Sequence, residues 1–144
     1  MATRKSPSHA ISPPRVALAG SERASFANAT VETLPPPGKK ITISMIVKRR
    51  QPLPAACRLG KKRLTRTQFR QHHGADPTSI KLVRAFAREY DLAIAPETPA
   101  PECCTVKLTG TIAACERAFG VALTSRSLAG ETYRICEGSI TLPA

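Results

Sequence analysis

The densest chemistry in the chain lies in RTQFRQHHGADP, residues 66–77, where His72 and His73 adjoin each other close to Asp76. Paired imidazoles can bind a metal or move a proton. A second set of reactive groups is the five cysteines, Cys57, Cys103, Cys104, Cys115 and Cys136. Two are adjacent and none forms a C-x-x-C pair, so the spacing that lets two thiolates converge on zinc or form a redox couple is missing. They read as packed or free thiols, although separated ones could pair once the chain folds.

The elements that must carry the histidines argue against chemistry there. Thr65 and Gln68 form a T-x-x-Q capping box, with Leu64 and Phe69 spaced as a hydrophobic staple around it. The helix so started stops at Gly74. A second begins at once, with Asp76 as N-cap and Pro77 at the first helical position, where no amide hydrogen is needed. His72 and His73 then occupy the last turn of the first helix, where a cation is favourable with the helix dipole. Neighbouring helical residues point about 100° apart and do not converge on one metal unaided. The stretch predicts a joint between two helices. Protonation of the pair in acid stays open as a contribution to release from a partner.

Around that joint the chain divides into three parts. Residues 1–14 read as a disordered tail and 15–38 as an extended arm, marked by Pro13, Pro14 and Pro35-Pro36-Pro37 and not part of a core. Residues 39–144 carry the periodic patterns. ITISMIVKRR alternates with Ile41, Ile43, Met45 and Val47 on one face, which predicts a strand. Ile80, Val83, Phe86 or Ala87, and Tyr90 make the apolar stripe of the second helix. Short strands follow at Leu92–Ile94 and Thr105–Thr109. Thr111 caps a helix through Phe119, stopped by Gly120. Further strands are predicted at Val121–Thr124 and, after a turn at Ala129-Gly130, at Glu131–Cys136. The order is that of an α+β, ferredoxin-like split βαβ: an antiparallel sheet with helices on one face, its first crossover made of two consecutive helices.

The chain has 22 Lys+Arg against 10 Asp+Glu and a formal net charge of +12. Every charged residue from Lys39 to Arg70 is basic, a field that attracts an acidic protein surface or a polyanion. No apolar run reaches the roughly 18 residues of a membrane-spanning helix, and no signal peptide is visible, so localisation is unknown.

A single helical layer leaves the other sheet face bare. With Ile43, Met45, Val106, Leu108, Val121 and Leu123 turned to the helices, the opposite parity presents Thr42, Ser44, Ile46, Lys48, Arg50, Thr105, Lys107, Thr109, Ala122, Thr124 and Arg126. That set is basic and free of carboxylates. It is either a solvated sheet face or a flat docking surface. An RNA-binding sheet of this topology would present stacking aromatics, and this face has none.

Four segments resemble one known family: GSERASFANA, ITISMIVKRRQPLP, LTRTQFRQHHGADPTSIKLVRAFAREYDL, and LTGTIAACERAFGVALTSRSLAGETYRICEGSITLPA. Together they span roughly Arg15 to Pro143. The chain resembles the activation prodomain, pro-kumamolisin type, of the sedolisin family of serine-carboxyl peptidases. Two departures are visible: Cys115 stands where such prodomains usually carry a large apolar residue, and Cys103-Cys104 replaces ordinary strand-entry residues.

The resemblance implies a ferredoxin-like propeptide that acts as intramolecular chaperone and inhibitor and is released by acid-triggered processing. Its partner would be a sedolisin-type catalytic domain, in cis in a longer precursor or in trans. The bare face, Thr42, Ser44, Ile46, Lys48, Arg50, Thr105, Lys107, Thr109, Thr124 and Arg126, would dock on it. The family's Ser-Glu-Asp triad and calcium site belong to that catalytic domain, and the sequence stops at Ala144 before either. The chain is expected to be no enzyme and to need no cofactor. The alternatives are a basic module for nucleic acid or another polyanion, or a truncated prodomain without function.

Overall fold

The computed structural model describes residues 14–22, 30–53, 63–96 and 103–144. The expected tail up to Pro13, the loop holding Cys57 and the Pro-rich turn after Pro96 lie outside the described residues. Those residues form an α+β protein with antiparallel strands and three helices: β1 (Arg15–Ala17), β2 (Thr30–Thr33), β3 (Lys40–Ile46), α1 (Arg66–His73), α2 (Pro77–Glu89), β4 (Ala93–Ile94), β5 (Thr105–Thr111), α3 (Ile112–Phe119), β6 (Ala122–Leu128), β7 (Glu131–Glu137) and β8 (Thr141–Pro143).

The helix boundaries follow the local chemistry. The Thr65 hydroxyl accepts from the Gln68 amide at 3.2 Å and the Thr65 amide donates to Gln68 Oε1 at 2.9 Å, closing both halves of the capping box. Asp76 caps α2 through the Ser79 amide at 3.0 Å, with Pro77 as its first residue. Thr111 caps α3, and Gly120 ends it at φ 64°, the left-handed region glycine enters without cost.

The central sheet has the order β3-β5-β4, antiparallel throughout. Its alternation splits the two faces cleanly. Val106 and Leu108 of β5 are buried and pack with Val83, Phe86 and Ala87 of α2 and with Ala114, Cys115, Ala118 and Phe119 of α3. Ile41, Ile43 and Met45 of β3 join this core but stay only half-buried. The opposite parity looks outward.

The remaining strands depart from a single sheet. β6 pairs with β7 over seven residues and with β2 on its other side, forming a separate sheet β2-β6-β7. The hairpin Leu128–Glu131 explains the extension of β6 beyond Thr124: Ala129 and Gly130 both take positive φ, 53° and 84°. That is the geometry whose twist suits a two-residue hairpin turn. The described part of the expected arm holds β1 and β2, both paired with strands of the C-terminal half. β1 pairs with β8, Arg15 opposite Pro143 and Ala17 opposite Thr141, so the two ends of the described chain close against each other.

Candidate docking surface

The helix joint anchors the residues that follow β3. His73 is buried, its Nδ1 is 3.2 Å from the Gln51 carbonyl oxygen, and its ring lies 5.5 Å from that of Phe69. The Arg49 guanidinium donates to the His73 carbonyl at 2.7 Å and stacks over Phe69. Backbone bonds from Arg50 to Gly74 and from Asp76 to Lys48, each 2.9 Å, tie the end of the β3 segment across the joint. His72 is exposed, its ring 6.4 Å from that of His73. Among the described residues no group of three His, Cys, Asp or Glu side chains converges on a metal-sized site. His73 holds a structural joint.

Hydrogen bonds from the Ser79 backbone and hydroxyl, assisted by the Lys48 charge, hold the Asp76 carboxyl below the ordinary carboxylate value. Of the described cysteines, Cys104 and Cys115 are buried, Cys136 is half-buried and Cys103 is exposed. Burial pushes the Cys115 and Cys136 thiols up, away from reactive thiolate.

The expected docking residues separate into two groups. Thr42, Ser44 and Ile46 of β3 stand opposite Thr109, Lys107 and Thr105 of β5 in register, so these six share one face. Ile46 is 85% exposed there, and the Thr42 and Thr109 hydroxyls meet at 2.9 Å. Lys48 and Arg50 follow β3 and are exposed. The result is an exposed apolar residue at the end of β3, with threonines and cations on the same face and following it.

Thr124 and Arg126 do not belong to this face. Both stand in the β2-β6-β7 sheet, and both side chains turn to Glu137. Thr124 is buried and donates to the Glu137 carboxylate at 3.1 Å, while Arg126 pairs with it at 2.6 Å. The Arg126 bond, then that of Thr124, holds the Glu137 carboxyl below its ordinary value. Parity within a strand assigned these two residues correctly to one side of β6. It could not reveal that β6 leaves the sheet of β3.

Two features carry no signal in the residue types alone. Arg15 donates to Tyr90 Oη at 2.8 Å, Thr141 Oγ1 at 2.9 Å, and the Ala118 and Thr141 carbonyls at 2.5 and 2.8 Å. It fastens the arm to α2, α3 and β8 at once. The other is a cavity of about 560 Å³ beside β3, lined by Ile41, Ile43 and Met45 of β3, Phe119 of α3, Leu123 of β6 and Leu142 of β8, among others.

The profile of the family described as Pro-kumamolisin, activation domain, matches residues 27–144. The chain belongs to the pro-kumamolisin activation domain family. A comparison with curated proteins finds no match. As an activation domain it is the propeptide of a peptidase precursor, of the sedolisin kind expected from the residues, and its family is one that associates with a peptidase catalytic domain. In this activation domain the six residues of the β3–β5 face lie together, with exposed Lys48 and Arg50 following β3.

Proposed function

We propose that this activation domain docks its bare β3–β5 face on a sedolisin-type catalytic domain, assists its folding, and holds it inactive until acid releases it. The observation that carries the reading is a sheet face with Ile46 exposed at the end of β3 and the cations Lys48 and Lys107 exposed near it, in a chain of this family. The order β3-β5-β4, with helices between β3 and β4 and after β5, supports a ferredoxin-like core for it. In that reading the fourth strand is β6, drawn away from β3 by its pairing with β7 and β2.

Charge supplies the acid dependence. A basic face is held by ionised partner carboxylates, and protonation of ordinary Asp and Glu at about pH 4 removes that attraction. The domain's own Asp76 and Glu137 act in the same direction. Their carboxyls sit below the ordinary value, so the stability they contribute is full at neutral pH and drains away as pH falls through the carboxylate range. Docking is therefore strongest near neutrality.

The test is inhibition in trans. The purified chain, in molar excess over a sedolisin-family catalytic domain, lowers its activity near pH 6 and loses that effect toward pH 4. Activity unchanged across the whole range would overturn the reading. The basic segment would also attract a polyanion, but the exposed face offers no ring for a base to stack on.

A further inference from the structure

β3 is paired along one edge only. Its ladder with β5 runs the full seven residues, and among the described residues no strand pairs with its other edge. Two bonds that bracket the strand fix which groups that edge presents. The Val47 amide donates to the Cys104 carbonyl at 2.8 Å, and the Lys39 carbonyl accepts from the Ile112 amide at 2.9 Å. Both lie in the β3–β5 register, so Ile41, Ile43 and Met45 are the residues that exchange bonds with β5. Antiparallel ladders alternate, and the amides and carbonyls of Thr42, Ser44 and Ile46 therefore point out of the sheet. The close Thr42–Thr109 hydroxyl contact is what a non-hydrogen-bonded pair gives.

The same edge borders the 560 Å³ cavity, whose β3 wall includes half-buried Ile41, Ile43 and Met45 together with Ser44 and Ile46. Unpaired backbone on one strand and a roofless apolar slot beside it are the two halves of a strand-addition site. We propose that this slot takes an extended segment of a partner protein, about as long as β3, in which apolar and acidic residues alternate.

The occupant's chemistry follows from the two sides of the added strand. Side chains on one side enter the cavity, which has room for several aliphatic groups and no charge among the walls named. Those on the other side lie beside Thr42, Ser44 and Ile46, with Lys40, Lys48 and Lys107 nearby and no carboxylate anywhere from Lys39 to Arg70. Main-chain bonds give such a complex its affinity and the alternate pockets its selectivity. A second copy of this chain is a poor occupant, since each copy carries a net charge of +12. The chain's own β6 is already paired on both edges.

Amide exchange read by NMR on the wild-type chain tests this without any peptidase, so its outcome is separate from that of inhibition in trans. In the free chain the amides of Thr42, Ser44 and Ile46 exchange at least tenfold faster than those of Ile43 and Met45. A blocked seven-residue peptide alternating valine and glutamate then slows those three at least tenfold, and its valine–lysine counterpart does not. Ser44→Pro removes one outward amide while leaving the β5 ladder intact, as proline on an edge strand allows. It weakens the glutamate peptide at least tenfold with the far-UV spectrum unchanged.

Three results would overturn the proposal. Slow exchange of the three amides in the free monomer would mean β6 or another segment of the chain closes the edge. Protection that appears only as protein concentration rises would assign the slot to a second copy. Equal response to both peptides, or none at millimolar peptide, would remove the alternating acidic strand as its occupant.

Discussion

The Arg126 guanidinium lies 2.6 Å from the Glu137 carboxylate, joining β6 to β7 at the point where the sequence pattern had placed Arg126 on a shared docking face. Buried Thr124 donates to the same carboxylate, so one acidic residue engages both side chains of β6 that face it. The carboxyl is consequently held below its ordinary value, and an unfolded chain takes up its proton first as pH falls. The wild-type urea midpoint should therefore fall between about pH 6 and pH 3, through the ordinary carboxylate range. In Glu137→Gln the midpoint starts lower and falls less steeply, so the two curves converge in acid. Parallel curves would show that the pair does not couple to folding.

The two histidines should separate completely. His73→Ala removes a buried ring packed on Phe69 and bonded to Gln51, and should cost about 1–3 kcal/mol by chemical denaturation. His72→Ala, at an exposed position, should stay within about 0.5 kcal/mol. Equal losses would mean the joint is not held by the His73 side chain.

What the residues could disclose was local. Caps at Thr65, Asp76 and Thr111 are decided by side chains within three positions of the backbone they bond, and they stand where the spacing put them. The face of β3 and β5 was legible for the same reason, since parity is a property of one strand at a time. Strand partnership is not local. Nothing in Ala122–Leu128 states that its edges go to β7 and β2 and not to β3, and the placement of Thr124 and Arg126 failed on that point. Arg15 was unreadable because its four partners come from Tyr90, Ala118 and Thr141, over 70 residues away.

Arg15→Lys should loosen both ends of the chain together. An ammonium cannot reach the hydroxyls of Tyr90 and Thr141 and two carbonyls in one plane as a guanidinium does. A loss of about 1–3 kcal/mol is expected by urea denaturation. Gly120→Ala should act on the same knot. It places a methyl against Thr141 Oγ1, which Arg15 uses, and adds about 1–2 kcal/mol of left-handed backbone strain. Additive losses in the double variant would show that the two positions are independent.

Ala129 offers the reverse, a stabilising change. It carries positive φ, 53°, ahead of Gly130 in the β6–β7 turn, a position that Asn or Gly fills with less strain. Ala129→Asn should raise stability by about 0.5–1 kcal/mol. A thermal midpoint that does not rise would show that the alanine is not strained there.

Ile46 is the residue on which docking should turn. It is 85% exposed, so Ile46→Asp removes little packing and should change folding stability by less than about 0.5 kcal/mol. At an interface the same side chain becomes an anchor ringed by polar groups, and truncating such an anchor commonly costs about 2 kcal/mol or more of binding. The introduced carboxylate also meets an acidic partner with like charge. Inhibition of a sedolisin-family catalytic domain near pH 6 should therefore weaken at least tenfold, while Lys81→Glu, on an exposed position of α2, leaves it within about threefold. Equal weakening by both would reduce docking to net charge alone. An unaffected Ile46→Asp would move the interface off the β3–β5 face altogether.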